Sequence, residues 1–138
     1  MKVVIVGGVA GGASAAARIR RLDEDAQIIM IERSGYISYA NCGLPYYVGG
    51  IIEEQKELTL QTPESFWKRF RIDVRVRQEV IAIDSDKKVV RVHALDGCNV
   101  YEESYDKLIL APGAKPTVPA FPGIDSEQVF TLRTVEDT

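Results

Sequence analysis

"KVVIVGGVAGGASAAARIRRL", residues 2–22, decides the fold class. Lys2 to Val6 is a short, almost wholly apolar run rich in β-branched residues, the composition of a strand buried on both faces of a parallel sheet. Gly7 ends it. Ala10 to Leu22 has helical composition, and Ala15, Ile19 and Leu22 repeat at intervals of four and three, which predicts an inward stripe. Gln27 to Ile31 is a second apolar run. Strand, glycine turn, helix and strand in that order make a βαβ unit, hence an α/β fold with a parallel sheet.

Beyond this unit, Thr62 has the character of an N-cap, with Pro63 at the first position of a helix running through Phe66, Trp67 and Phe70. Its aromatics are expected in the core. From Asp73 the pattern becomes alternating: Val74 and Val76, then Val80 to Ile83, then Val89 to Leu95, with turns at 84–87 and 96–99. This predicts a strand followed by a small antiparallel β-meander, in which His93 is an ordinary strand residue. Leu108 to Ala111 reads as another buried strand, stopped by Pro112-Gly113. The stretch from Pro116 to Thr138 is rich in proline and turn residues and carries no clear core pattern.

The 138 residues, 46% hydrophobic and 27% charged, fit one soluble globular domain. Seventeen basic against twenty acidic residues, with no basic block, argue against a nucleic-acid partner. Met1-Lys2 followed by small and apolar residues to Ala17 has the outline of a signal peptide, but its glycines and the arginines at 18, 20 and 21 suit a strand, turn and helix better. No segment reaches the roughly 18 consecutive apolar residues of a membrane span. The expectation is a cytoplasmic protein without a membrane partner. Cys42 and Cys98 lack the paired spacing of a zinc site or a CxxC motif, so neither a metal site nor a disulfide scaffold is expected. Cys98, in the turn "DGCN", reads as incidental.

A tight turn between a buried strand and a helix N-terminus suits a phosphate, because free N–H groups and the helix dipole favour negative charge. "GGVAGG" supplies Gly7, Gly8, Val9, Ala10, Gly11 and Gly12, departing from GxGxxG where Val9 replaces the middle glycine. Glu32, twenty positions after Gly12, stands where an acid accepts hydrogen bonds from a ribose hydroxyl pair. The order of these features favours dinucleotide binding over a packing turn with a solvated glutamate. "SYANCGLPYYVGG", residues 38–50, sets Cys42 at the start of a short helix, where the dipole favours a thiolate. The alternative is a small buried hydrophobe, and position alone leaves both open.

"VVIVGGVAGG", "IER" at residues 31–33, "SYANCGLPYYVGG" and "YDKLILAPGAKP" together resemble the N-terminal FAD-binding part of the single-cysteine branch of the pyridine nucleotide-disulfide oxidoreductases. The resemblance extends through "TLRTVEDT" at residues 131–138. It implies a Rossmann-like FAD-binding domain with a parallel sheet plus the meander. Residues 1–138 would be the N-terminal portion of a discontinuous FAD-binding domain, with nicotinamide-binding and dimerisation domains elsewhere in a homodimeric full-length protein. It implies FAD contacts from the six residues of the glycine turn and from Glu32, Arg33, Asn41, Val80, Ala111, Pro112 and Gly113. Relatives with a redox disulfide carry a second cysteine where this chain has Tyr47, so Cys42 would be a catalytic cysteine whose partner is a small molecule or an oxygen atom.

Oxidase and peroxidase members usually carry histidine in the glycine turn. Ala10 stands there, as in the reductases. Ser14, Arg18 and Arg21 share one face of the first helix, either as a solvated basic stripe or, as the resemblance implies, at positions that contact coenzyme A together with Ser38 and Asn41. The implied activity is NAD(P)H-dependent, FAD-mediated reduction of coenzyme A disulfide through a Cys42–coenzyme A mixed disulfide. A polysulfide or persulfide reductase or an NADH oxidase of the same family is the alternative, and a non-catalytic nucleotide-binding or thiol-sensing module is the competing class. Residues 1–138 alone are not expected to turn over.

Overall fold

β1 (Lys2–Val6) pairs in parallel with β2 (Gln27–Ile31) along its whole length, and α1 (Ala10–Leu22) makes the crossover between them. The computed structural model describes residues 1–97 and 99–138, so the expectation for Cys98 lies outside the described residues. After β2 the chain passes through a short helix, α2 (Leu44–Val48), and α3 (Pro63–Phe70) to β3 (Ile72–Arg75), which pairs in parallel with the outer side of β2. It then crosses the sheet as an antiparallel meander, β4 (Gln78–Asp84), β5 (Val89–Ala94) and β6 (Val100–Ser104), and returns as β7 (Lys107–Leu110) on the other side of β1. The order β3-β2-β1-β7 places β1 at a switch point, with neighbours reached in opposite directions.

Both faces of the sheet are covered, which is why β1 and β2 are continuously apolar rather than alternating. Val3, Ile5, Ile28, Met30 and Ile72 pack under α1 and α3 with Ala13, Ala16 and Phe66. Val4, Ile29 and Ile31 face the meander and meet Val90 and Val92, with Tyr101, Tyr105 and Leu108 at the margin.

Four expectations are corrected. The inward face of α1 is Gly12, Ala13 and Ala16 with Ile19 beside it, whereas Leu22 is 70% exposed. Small residues let the helix approach the sheet, and Leu22 is the last residue of the helix. Trp67 is 51% exposed while Phe66 is buried and meets Phe70 edge-on at 5.6 Å, because positions 66 and 70 share a helix face that 67 does not. β7 is an edge strand among the described residues, with Leu110 57% exposed. Val135, in the stretch with no core pattern, is completely buried.

Two contacts lock the layers. At the end of β1, Gly7 has φ +97°, and a Cβ there would lie 2.0 Å from the Ala111 carbonyl oxygen; a Cβ on Gly12 would lie 1.7 Å from the carbonyl oxygen of Gly7. Only glycine permits this approach. Across the other face, Arg75 of β3 donates to Glu103 Oε2 (2.7 Å), to the Tyr101 hydroxyl (3.1 Å) and to Asp73 Oδ2 (2.8 Å), and the Lys2 ammonium binds Glu103 Oε1. This network bolts β6 to the parallel sheet. Burial opposes ionisation of Glu103, but the hydrogen bonds from Lys2 and Arg75 outweigh it and hold the carboxyl below the usual glutamate range.

Gly12→Ala is expected to destabilise at the upper end of the roughly 1–3 kcal/mol that overpacking costs, read by thermal unfolding. Because the Glu103 carboxyl is held low, its stabilising contribution is complete above about pH 4.3 and lost as pH falls through the lower folded-state value. Glu103→Gln should therefore flatten the acid limb of the stability profile and lower stability at pH 7 by about 2 kcal/mol, as followed by denaturant unfolding across pH.

Candidate functional site

The glycine turn sits at the switch point, over the carboxyl ends of β1 and β7. The Gly7 N–H donates to the Ile31 carbonyl (2.8 Å) and the Ala111 N–H to the Val6 carbonyl (2.7 Å), closing the turn against both neighbouring strands. Val9 is the N-cap of α1, no side chain caps that helix, and no acid lies in its first turn. α3, in contrast, is capped reciprocally by Thr62 and Ser65. The positive end of α1 therefore opens into a cleft with Val9, Ala10 and Gly11 on one wall and Ala111, Pro112 and Gly113 on the other.

Glu32 is the hinge of this region. Its Oε2 accepts the Gly8 N–H at 2.6 Å and its Oε1 the Ser34 N–H at 2.8 Å, so the carboxylate holds the glycine turn and the start of the next loop together. It lines both the α1 cleft and an adjoining recess formed by Gly7, Arg33, Gln78 and Val80. Arg33 is exposed and lies 3.6 Å from Glu79. The expected sites Glu32, Arg33 and Val80 are thus brought to one place.

Ser38 N–H donates to the Gly8 carbonyl (2.9 Å), and residues 38–40 then lie antiparallel to residues 58–60 through Ala40 N–H to Leu58 O (2.9 Å) and Leu60 N–H to Ser38 O (3.0 Å). The chain turns through a single 3₁₀ turn, Asn41–Gly43, into α2 with Pro45 in its first turn. Cys42 is in this turn rather than in the helix, and within this chain it is exposed. Gly43 beneath it is buried; a Cβ there would meet Leu58 Cδ2 at 2.9 Å. The footing of the loop is Tyr39, Leu44, Leu58 and Val135.

Asn41 faces the α1 cleft, and its Oδ1 is buried without a hydrogen-bond partner. Tyr39, Arg133 and Thr134 also line this cleft and were not identified from the sequence. Burial pushes the Tyr39 hydroxyl up, with the Arg133 charge acting in the opposite sense. The only signal for Arg133 was its place in "TLRTVEDT". Ser38 opens instead onto a second cleft between α1 and α3, lined by Ser14, Arg21, Gln61 and Arg69. Arg18 is not part of that lining. His93 lies half-buried in β5 opposite Glu79, a strand position.

The model for the pyridine nucleotide-disulphide oxidoreductases matches residues 1–138. The chain belongs to this family. It is 46% identical over 137 residues to coenzyme A disulfide reductase of Staphylococcus aureus, covering 99% of this chain and 31% of that protein. Among solved structures, reduced Bacillus anthracis CoADR-RHD superposes with a TM-score of 0.94 at 55% identity over 99% of this chain and 25% of that one. An NAD-dependent persulfide reductase from A. fulgidus superposes with a TM-score of 0.91 at 40% identity, over 99% of this chain and 26% of that one. The chain thus spans between a quarter and a third of the length of these family members. They match its α/β architecture, the parallel sheet with its separate meander. Among the described residues no helix is long and apolar enough to cross a membrane, and no group of three or more His, Cys, Asp or Glu could hold a metal ion.

Glu32→Ala leaves the Gly8 N–H, in a buried turn, without its acceptor. It is expected to cost about 2 kcal/mol of stability, measurable by denaturant unfolding.

Proposed function

We propose that the full-length protein carrying this chain is an FAD-dependent, NAD(P)H-oxidising disulfide reductase that uses Cys42 as its single redox thiol and takes coenzyme A disulfide as substrate. The observation that carries this reading is the course of residues 38–42: Ser38 lines the basic cleft, Asn41 lines the cleft at the α1 N-terminus, and the segment ends in an exposed thiol. Identity of 46% to a coenzyme A disulfide reductase supports the substrate class.

The residues present fit FAD. The uncapped end of α1, the close approach allowed by Gly7 and Gly12, and the unpartnered Asn41 Oδ1 suit a dinucleotide with a diphosphate and a polar ring system. Gly7 to Gly12, Glu32, Arg33, Asn41, Val80 and Ala111 to Gly113 would hold it. When bound, FAD supplies the two-electron chemistry that links NAD(P)H to a sulfur. The one-sided pairing of β7 supports reading residues 1–138 as part of a discontinuous FAD-binding domain whose sheet is extended by later chain, with nicotinamide-binding and dimerisation domains elsewhere in a homodimer.

The chain's own part in the chemistry is thiol–disulfide exchange. The Cys42 thiolate attacks one sulfur of coenzyme A disulfide, forming Cys42–S–S–coenzyme A as the original S–S bond breaks and one coenzyme A thiolate leaves. Two electrons then cleave the mixed disulfide, returning the Cys42 thiolate and the second coenzyme A thiolate, which takes up a proton. Tyr47, at the position where a second cysteine would resolve the bond internally, leaves Cys42 to pair with the small molecule. The reading places the protein in the cytoplasm, where NAD(P)H and coenzyme A are held.

A persulfide or polysulfide substrate is the second reading, favoured by 40% identity to a persulfide reductase. Intact mass of the unreduced full-length protein, before and after dithiothreitol, separates the two. The expected result is an adduct of coenzyme A mass on Cys42 that dithiothreitol removes and that Cys42→Ser lacks. An added sulfur atom would favour the persulfide reading, and a sulfenic acid an oxidase.

A further inference from the structure

The ion network at the rim of the meander runs on into an uncharged pair. Tyr101 of β6 reaches across β5 to Gln78, the first residue of β4. A guanidinium can only donate, so the Tyr101 hydroxyl takes the Arg75 Nη1–H on a lone pair, at 3.1 Å, and keeps its own proton to give. That proton goes to Oε1 of Gln78, at 2.5 Å. A separation this short belongs to O–H···O, because N–H···O contacts span about 2.7–3.2 Å. The amide atom facing Tyr101 is therefore the oxygen, and each bond in the chain Glu103, Arg75, Tyr101, Gln78 has a single direction.

With Oε1 committed, Gln78 keeps the two N–H donors of Nε2, and neither has a partner among the described residues. Gln78 lines the recess beside Glu32, where the other polar groups are already engaged. The two oxygens of Glu32 hold the Gly8 and Ser34 N–H groups, and Arg33 and Glu79 lie 3.6 Å apart. Val6, Ile31, Val80 and Pro112 make much of the remaining lining apolar. An apolar recess with one oriented, unused donor group suits a flat heteroaromatic ring that presents a nitrogen acceptor, and adenine has this chemistry.

We propose that Tyr101 is a positioning residue which turns the amide of Gln78 so that its nitrogen donates to the adenine ring of FAD, making Gln78 a specificity residue for that end of the cofactor. The inference rests on the flavoprotein reading and deepens it. Tyr101 is not part of the recess lining and acts through Gln78 alone. The rim network thus has a second use besides bolting β6 to the sheet: it decides which end of the Gln78 amide a ligand meets.

The test is equilibrium binding to the full-length protein stripped of its cofactor, with FAD followed by flavin fluorescence and ADP, which carries the adenine end alone, by competition against FAD. Gln78→Met, of similar length but without donors, should weaken FAD and ADP by the same factor, about tenfold. Gln78→Glu keeps the acceptor for Tyr101 and loses the donors, and should weaken both at least as much. Tyr101→Phe frees the amide to turn over and should weaken both by about threefold. Combined with Gln78→Met, it should add nothing to the loss from Gln78→Met alone, which a merely structural role of Tyr101 would not give. Unchanged affinities in Gln78→Met, or a loss for FAD with none for ADP, overturn the role of Gln78. Additive losses in the double variant overturn that of Tyr101. A wild-type protein that binds no FAD overturns the flavoprotein reading itself.

Discussion

Three backbone segments meet at the carboxyl end of β1 more closely than any side chain allows. The carbonyl of Gly7 occupies the space of a Cβ on Gly12, and the carbonyl of Ala111 that of a Cβ on Gly7. The cleft at the α1 N-terminus depends on this approach. It seats the N-terminus of α1 directly over the sheet, points its unpaired N–H groups into a cleft, and brings the residues after β7 to the opposite wall. Glu32 then holds Gly8 from the side, so the turn is fixed by its own backbone and by one carboxylate.

The three layers divide the work. The face under the helices is closed by small residues of α1 and by Phe66, which leaves the far ends of α1 and α3 free to carry charge. The meander is attached by Val90 and Val92 in its interior and by the Lys2, Arg75 and Glu103 network at its rim. The meander contributes Val80 and Gln78 to the recess beside Glu32 but otherwise acts as a lid on the sheet. The loop that carries Cys42 rests on none of these cores. Its footing is a separate cluster of Tyr39, Leu44, Leu58 and Val135, so the position of Cys42 depends on contacts distinct from those that hold the sheet.

Legibility in the sequence followed the range of the forces involved. β1, α1 and β2 were readable to the residue because periodicity, glycine placement and the βαβ order are local and agree. The same holds for the Thr62 cap of α3, where Thr62, Pro63 and Ser65 act within one turn. The stripe on α1 was misplaced because apolar counting favours large residues, while close packing on a sheet selects Gly12, Ala13 and Ala16. Arg69 and Arg133 were missed because their clefts exist only once distant elements meet. Cys42 stood out by residue type and motif, yet its 3₁₀ setting and exposure are tertiary facts: Gly43 must settle on Leu58 before the turn has a shape.

Val135 completes that footing, and it comes from beyond β7. The loop that carries Cys42 comes early in the sequence, but the residue that fills its base follows Cys42 by 93 positions, and the neighbouring Glu136 accepts the Gly35 N–H at 2.8 Å. During synthesis the parallel pair β1 and β2 has its helix before the loop has its floor. The footing beneath Cys42 is therefore complete only once the chain beyond β7 folds back under it. The position of Cys42 thus depends on a residue 93 positions downstream rather than on its neighbours alone.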